Sequence, residues 1–569
     1  MNLKQQISVE LVKAVNSKEF TEEKLTELIE VPPSRELGDY SFPCFKLSKE
    51  LKKDPKEIAL NLKQKIESKK LSFIKKTETK GPYLNFFLDY SFLANALIPE
   101  VLKQKNKFGL NSSGKKKKIM VEYSSPNTNK PLHIGHLRND SIGMSLSNII
   151  KANGFDAVKA ILINDRGVHI SKSMLAYQKF GKGKTPNKKS DHFVGDYYVL
   201  FNQKAKQNSE LEKEALGLLE KWEKKDKKTI ALWKKMNAWA LQGIFQTYKK
   251  FGSEFDVIYK ESEQFGKAKK IIDLGMQKKV FIKDSEKNII VDLEKFNLGK
   301  KVVLRKDGTS IYLTNDLVLS VEKFNQFKLE KNIWVVGSEQ KFYFQQLFKT
   351  LELLGFNWVP KCLHYSYGMV YLPEGKMKSR EGKVVDADDL IKELIELAKK
   401  ELQKRNPSIK EKELNKRAET IGLGAIKFFL LKTDAVKDIN FNPEESISFE
   451  GETASFIQYA FARCTSILRK TKKPIKYEFN NLTPEEENLI SVLSLFPEKV
   501  VFSFNSLSPH ILCHYLLELT SVFNVFYQKC NVLNEEKNLM NSRLALVQAT
   551  SFVLENGLNL LGIKVLDEM

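Results

Sequence analysis

Hydrophobic and polar positions along this 569-residue chain change period twice, and the changes mark out three stretches. Up to about residue 112, apolar positions recur at helical spacing over Leu3–Asn16, Glu22–Glu30 and Ile58–Ile66. The last of these follows Asp54-Pro55, a capping residue and then a proline at the first helical position. Gly81–Leu88 reads as a strand leaving a turn. These patterns predict an N-terminal α+β module over residues 1–112, ended by the polar, glycine-bearing linker Asn111–Lys118. From 118 to 385, short apolar runs alternate with helical patterns. The runs are Ile119–Tyr123, Val158–Ile163, Ile333–Gly337 and Leu363–Met369. Such alternation predicts a Rossmann-like, doubly wound parallel sheet. A long polar helical stretch at about 203–250, in an insertion near 181–250, and a hairpin pattern over Val280–Leu304 interrupt it.

After Val385 the strand signal disappears. Asp386-Ala387-Asp388-Asp389 opens a helix with carboxylates where the helix dipole favours them. Helical patterns follow near 388–404, 411–431, 443–470, 483–495, 509–530 and 537–557. The fold class expected is multidomain α/β. A helical connecting segment at 386–440 leads into an all-α bundle at 441–569.

Composition narrows the function classes. No apolar run approaches the ~20 residues that span a bilayer, and Met1–Ser17 carries no signal-peptide pattern. Five scattered cysteines without a CxxC pair fit reduced thiols and a cytoplasmic location, and argue against a disulfide scaffold or zinc ribbon. The formal net charge is +23. Residues 441–569 carry 11 Lys+Arg against 15 Asp+Glu, so the basic excess lies wholly in residues 1–440. That excess fits a polyanionic partner such as nucleic acid, or a lysine-rich solvated surface.

Chemistry concentrates in the run from Ser124 to Asp140, between a strand candidate and a helix start. Two of the seven histidines fall there, in His133-Ile134-Gly135-His136. A glycine and two imidazoles at a helix N-terminus suit a phosphate. The same four letters also fit a metal pair or a buried structural role, although no cysteine or carboxylate cluster with ligand spacing lies nearby. Far downstream, Leu372–Val385 is a second glycine-flanked, cation-rich loop. It suits either closure over a triphosphate or a solvated surface.

Together the two loops resemble the HIGH and KMSKS-type motifs of class I aminoacyl-tRNA synthetases. The wording around them is similar to the arginyl family in particular. It includes Ser124-Ser125-Pro126-Asn127 with Lys130-Pro131-Leu132, Asn164-Asp165-Arg166-Gly167 and His192-Phe193-Val194-Gly195-Asp196. It continues through Tyr312-Leu313-Thr314-Asn315-Asp316 and Gly337–Phe344. Further matches are Phe449-Glu450-Gly451, Gln458–Arg463, Leu516–Leu533, Arg543–Val547 and Leu560–Ile563, with Arg35–Tyr40 and Gly81–Phe86 near the start. The resemblance runs in order over nearly the whole chain.

The resemblance implies a ligase that activates L-arginine with ATP and transfers it to the 3′ end of tRNA(Arg). ATP would enter as its Mg²⁺ complex, with no tightly bound cofactor and no dedicated protein metal site. A monomer acting away from membranes is expected. Lys130, His133, Gly135, His136 and Lys376 are the implied catalytic residues. Gly337, Met377, Lys378, Ser379 and Arg380 would join the ATP site. Ser379 stands where the class pattern has its second lysine, and the resemblance implies that Lys130 substitutes for it.

Arginine is a planar, permanently charged fork, so its site should present carboxylates and fixed acceptors. Matching positions are Glu122, Ser125, Asn127, Tyr312, Asp316 and Gln340. Asp316 leads for the guanidinium and Glu122 or Asn127 for the α-amino group. Tyr312 and Asp316 would share a face if their segment is helical. Glu261 is a weaker candidate, equally readable as a surface carboxylate, and Asp316 also fits a helix-start carboxylate. Arg35, Gly38, Asp39, Tyr459 and Arg463 would contact tRNA, with Tyr459 either stacking on a base or packing in the core. A synthetase for another amino acid and a catalytically silent RNA-binding relative are the rival readings.

Overall fold

The computed structural model describes residues 3–17, 19–264, 266–306, 308, 311–371, 385–471 and 476–569. At its centre lie five parallel strands: β1 (Lys118–Glu122), β2 (Asp156–Ile163), β3 (Val257–Lys260), β4 (Lys331–Gly337) and β5 (Cys362–Tyr367). Their order is β5-β4-β1-β2-β3. The chain therefore winds outward from β1 on one side and returns to its other side at β4. The carboxyl ends of β1 and β4 flank that switch point, where open α/β sheets bind ligands.

The four predicted strands are present, and the sequence reading missed β3. It has four residues at the sheet edge and leaves Ile258 exposed, so it shows no apolar run. The predicted Leu363–Met369 strand ends at Tyr367, and Val370–Tyr371 pairs separately with Ile439–Asn440.

Helix α1 (Ile134–Ala152) follows the β1 loop, and α2 (Val168–Phe180) follows β2. The first insertion is α3 (Ser190–Ala205), α4 (Glu210–Glu223) and α5 (Lys227–Phe251). Asp226 starts α5 by accepting a hydrogen bond from the Thr229 amide, which divides what reads in sequence as one polar helical stretch. The expected hairpin at 280–304 is a three-stranded antiparallel sheet, Phe281–Lys283, Ile289–Asp292 and Lys300–Leu304. Helices α6 (Tyr312–Phe327) and α7 (Lys341–Leu353) flank β4 in sequence.

The bundle begins with α8 (Ala387–Arg405) and Glu411–Leu431. The predicted 443–470 helix is broken into Pro443–Ser446 and α9 (Ala454–Arg469). Gly451, with φ of 81°, and the Thr453 cap separate the two. Phe496–Asn505 is a helix missed because it directly follows Pro484–Ser494 with only Leu495 between.

The N-terminal module is a three-stranded antiparallel sheet of Tyr40–Pro43, Ile74–Lys80 and Tyr83–Leu88 with its helices. It is fastened to the bundle. Asn95 exchanges two hydrogen bonds of 3.0 Å with the Phe479 backbone. Asn556 donates to the carbonyls of Lys105 (2.9 Å) and Phe108 (3.2 Å), and Phe108 stacks on Phe496. Apolar burial is continuous across this junction.

Two of the residues expected to contact tRNA are committed to this fold. Gly38 has φ of 101°, and a Cβ there would sit 2.8 Å from the Phe86 carbonyl oxygen. The Asp39 carboxylate accepts from the Leu88 amide at 2.8 Å and from the Tyr90 hydroxyl. Arg35 remains exposed, donates to Asn488 of the bundle and lies over the Tyr90 ring. Gly38→Ala should cost roughly 1–3 kcal/mol through backbone strain and the carbonyl clash. Urea unfolding of the full chain checks it.

Candidate functional site

The loop after β1 is held by side chains from three directions. Ser124 and Ser125 both have positive φ, 79° and 48°, a conformation that requires outside support. Asn139 of α1 supplies part of it. Its Oδ1 accepts from the Ser124 amide at 2.7 Å, and its Nδ2 donates to the Val335 carbonyl of β4 (2.7 Å) and the Tyr367 hydroxyl of β5 (2.9 Å). The Ser125 carbonyl accepts from Asn164, at the end of β2. One asparagine thus ties the ends of β4 and β5 to the turn that starts the site.

At the start of α1 the two histidines cap the helix. His133 Nδ1 accepts from the Gly135 amide at 3.1 Å, and His136 Nδ1 accepts from the His133 amide at 3.1 Å. Burial and the Lys130 charge hold the His133 pKa down at about 4. Burial, then His133 and Lys130, push that of His136 well below its ordinary value. Both rings are therefore neutral at pH 7. An Nδ1 that accepts leaves the proton on Nε2, so each ring keeps one donor. Gly135 has only the His133 ring near its would-be Cβ, at 3.0 Å. Lys130 is half-buried, which lowers its pKa. Among the described residues its ammonium has no carboxylate partner. The first-turn amides are already bonded, so the two Nε2–H donors, the helix dipole and the Lys130 ammonium are what suit this turn to an anion.

The downstream loop meets this site at its exit. The Ile134 amide donates to the Val385 carbonyl and the Ala387 amide to the Leu132 carbonyl, both at 3.0 Å. Lys376, Met377, Lys378, Ser379 and Arg380 lie outside the described residues. Gly337 ends β4 at the same edge of the sheet.

Beside the turn is a cavity of about 480 Å³. Asn127, Tyr312, Asp316 and Gln340, all expected at the arginine site, line it together. Tyr312 and Asp316 stand one turn apart on α6, and Tyr312 is 63% exposed at the rim. The wall also includes Glu261, Arg166, His169 and Tyr343. Tyr343 donates its hydroxyl to Asp316. Burial raises the Asp316 pKa to about 6 and the Glu261 pKa to about 7. Glu261 Oε2 is buried with no hydrogen-bond partner. Glu261 is therefore not a surface carboxylate. Two acids raised by desolvation beside one cavity favour a cation, which would return both to their ionised forms.

Glu122 and Ser125 do not line this cavity. Glu122 is buried and paired with Lys323 of α6, whose ammonium also lies over the Tyr259 and Trp334 rings at 5.4 and 5.2 Å. Lys323 escaped the sequence reading because a lysine mid-helix looks like a solvated face. Tyr343 was in view within Gly337–Phe344, but nothing in spacing marks a tyrosine that reaches Asp316.

In the bundle, Tyr459 and Arg463 line a groove of about 810 Å³. The Arg463 guanidinium lies between the Tyr459 and Tyr527 rings, 4.9 and 4.5 Å from their centres. Arg405 of α8 covers Tyr459 and Phe449. Tyr459 is half-buried, so it packs against its neighbours while part of it stays at the surface. A third cluster, Asp191, His192 and Asp388, gathers carboxylates and an imidazole, and the cation it already holds is the Lys189 ammonium.

Comparisons agree along the length of the chain. Residues 1–88 match the model for the arginyl tRNA synthetase N-terminal domain. Residues 97–443 match that for the class I (R) tRNA synthetase catalytic domain, and 457–569 that for the DALR anticodon-binding domain. The arginine–tRNA ligase of Treponema denticola is 46% identical, covering 95% of this chain and 94% of its own. That of Treponema pallidum is 41% identical over 95% of each. The Thermus thermophilus arginyl-tRNA synthetase structure superposes with a TM-score of 0.84 at 27% identity, over the whole of both chains. With its parallel sheet, its docked N-terminal module and its helical bundle, this chain belongs to the arginyl-tRNA synthetase family of class I.

Proposed function

We propose that the protein is an arginine–tRNA ligase that activates L-arginine with ATP and transfers it to the 3′ end of tRNA(Arg). The observation that carries the site assignment is the position of Lys130. It stands three residues after Asn127, which lines the cavity, and three before His133 at the start of α1. A polyanion site and the cavity that holds Asp316 and Glu261 therefore adjoin along one short segment.

Arginine enters with its guanidinium toward Asp316 and Glu261, and Tyr343 holds the Asp316 carboxylate in place. Tyr312, Asn127 and Gln340 surround the rest of the substrate. Glu122, paired with Lys323, acts behind this wall. ATP, entering as its Mg²⁺ complex, lies across the N-terminus of α1. Lys130 and the Nε2–H groups of His133 and His136 face its phosphates, with Gly135 and Gly337 allowing close approach. Lys376, Met377, Lys378, Ser379 and Arg380 complete the phosphate site.

An arginine carboxylate oxygen attacks the α-phosphorus. The bond to the bridging oxygen breaks, and pyrophosphate leaves. A hydroxyl of the terminal tRNA ribose then attacks the carbonyl carbon of the adenylate, losing its proton as AMP departs. Neither step requires a side-chain nucleophile, so the work is positioning and charge neutralisation.

Residues 118–385 carry this chemistry. Residues 1–112 and 441–569 contact tRNA, and 386–440 connects the catalytic domain to the second of them. Tyr459 and Arg463 offer a base-stacking platform, and Arg35 is an exposed contact of the first module. The enzyme works as a cytoplasmic monomer. Among the described residues no helix is long and apolar enough to cross a membrane.

ATP–pyrophosphate exchange, with tRNA present and each amino acid in turn, should respond to arginine alone. Exchange with another amino acid instead would overturn the assignment. Asp316→Asn should raise KM for arginine at least about 30-fold, since losing one partner of a desolvated charge pair costs ~2 kcal/mol or more. Arginine binding should tighten as pH rises through about 6 and about 7, where Asp316 and Glu261 ionise. Below those values it should release protons, measurable by calorimetry in buffers of different ionisation enthalpy. Lys130→Ala should slow single-turnover pyrophosphate release, and an unchanged rate would remove Lys130 from the phosphate site.

A further inference from the structure

The Asp191–His192–Asp388 cluster lies outside the cavity, yet it is built against the segment that carries Lys130 and both histidines. Helix α3 makes the connection. Gly195 packs on that segment, with its would-be Cβ 2.9 Å from Pro131 Cδ and 3.6 Å from Lys130 Cα. One turn earlier, His192 Nε2 lies 2.9 Å from an Asp388 carboxylate oxygen and 3.7 Å from one of Asp386. Lys189 Nζ lies 2.7 Å from Asp388, 2.9 Å from Asp191 and 2.6 Å from Thr247 Oγ1 of α5. Thr247 also donates to Asp388, at 3.0 Å.

Asp386 and Asp388 sit at the start of α8. The Asp386 side chain caps that helix by accepting from the amides of Asp388 and Asp389. The residue-386 backbone bridges His133, with Leu132 and Ile134 hydrogen-bonded on either side. The path from His192 to the imidazole pair is therefore short: His192 to Asp388, the first turn of α8, then backbone to Leu132–Ile134. A second path runs through Gly195 to Pro131. Helix α3 grips the ATP turn from two sides.

We propose that His192 is a positioning residue for activation: by pairing with Asp388 it fastens α3 to the start of α8 and sets where Lys130, His133 and His136 stand. The inference rests on the reading of that turn as the ATP site.

The groups facing His192 decide how it responds to pH. Asp388 and Asp386 come from α8, and Asp191 and Lys189 from the start of α3 itself. The bond to Asp388 outweighs burial and raises the His192 pKa above its ordinary 6.5, with Asp386 and Asp191 adding to it. The Asp388 carboxyl is held down at about 2 by His192 and Lys189 against the opposing effect of burial. Asp388 is thus ionised throughout the working range, and His192 is the group that changes. A histidine with a raised folded-state pKa contributes its full share below 6.5 and loses it as pH rises through the raised value. A neutral ring keeps at most a weaker hydrogen bond to Asp388.

The test measures KM for ATP in arginine- and tRNA-saturated pyrophosphate exchange, from about pH 6 to pH 9. It compares the full-length protein with His192→Ala and His192→Lys. KM for ATP should climb with pH in the unaltered protein. His192→Ala should be about tenfold higher at low pH, the weight of one charge-assisted bond, and flat. His192→Lys should be flat near the low-pH value. The same pH dependence in all three would overturn the inference. Imidazole ¹⁵N NMR of the unaltered chain decides it without activity or variants. His192 should titrate above 6.5, and the His133 resonance should follow with the same midpoint. A His133 signal that ignores that titration overturns it equally. Absent exchange with arginine would sink the functional reading instead, leaving the NMR arm to decide the positioning role.

Discussion

The Arg138 guanidinium is the interaction on which the arrangement of the site depends. It is fully buried on α1 and, among the described residues, pairs with no carboxylate at hydrogen-bond distance. Nη1 donates to the carbonyls of Gly368 and Met369 at 2.6 and 3.0 Å, and Nη2 to those of Ala435 and Lys437 at 3.0 and 2.7 Å. A buried charge is tolerated when fixed dipoles replace its water, and here four carbonyls do so. Those carbonyls belong to the segment leaving β5 and the one entering the bundle. The same guanidinium therefore fastens the catalytic sheet to the helices that follow it. Asn139, the next residue, ties the Ser124 turn to β4 and β5. The two neighbours hold the helix, the turn and the sheet in one frame.

Within that frame, protonation states do the sorting. Burial beside Lys130 keeps both imidazoles neutral, so they donate from Nε2 without adding charge, and within this turn Lys130 supplies the fixed cation. Across the same lysine, burial holds Asp316 and Glu261 near the edge of ionisation. A cation entering there is favoured because it restores charge that burial disfavours on both carboxylates. One crevice thus attracts a polyanion and a cation without the two sites cancelling each other.

The charge distribution along the chain finds its explanation in local clusters. The bundle is acidic on average, yet Arg405 and Arg463 lie against the Phe449, Tyr459 and Tyr527 rings, three of these five side chains lining one groove. Stacking and a few placed guanidinium groups do not require a basic average. The N-terminal module is bound to the same bundle through Asn95, Asn556 and Phe108, so the two act from a shared base.

The sequence by itself determined the elements with strong local signals. The apolar runs of β1, β2, β4 and β5, the caps at Asp54 and Asp386, and the histidine-glycine helix start are all read from neighbours in the chain. So is the pairing of Tyr312 with Asp316, since helical spacing alone puts both on one face. The tertiary structure decided what depends on distant partners. It withdrew Gly38 and Asp39 into the fold of the first module and set Glu122 behind the cavity wall against Lys323. It turned Glu261 inward with an unpartnered oxygen and brought Tyr343 to Asp316. It also left β3 a strand only because β2 lies beside it. Each outcome follows from burial and pairing between residues 27 to 201 positions apart, where desolvation sets the energy and no local pattern records which partner will be near.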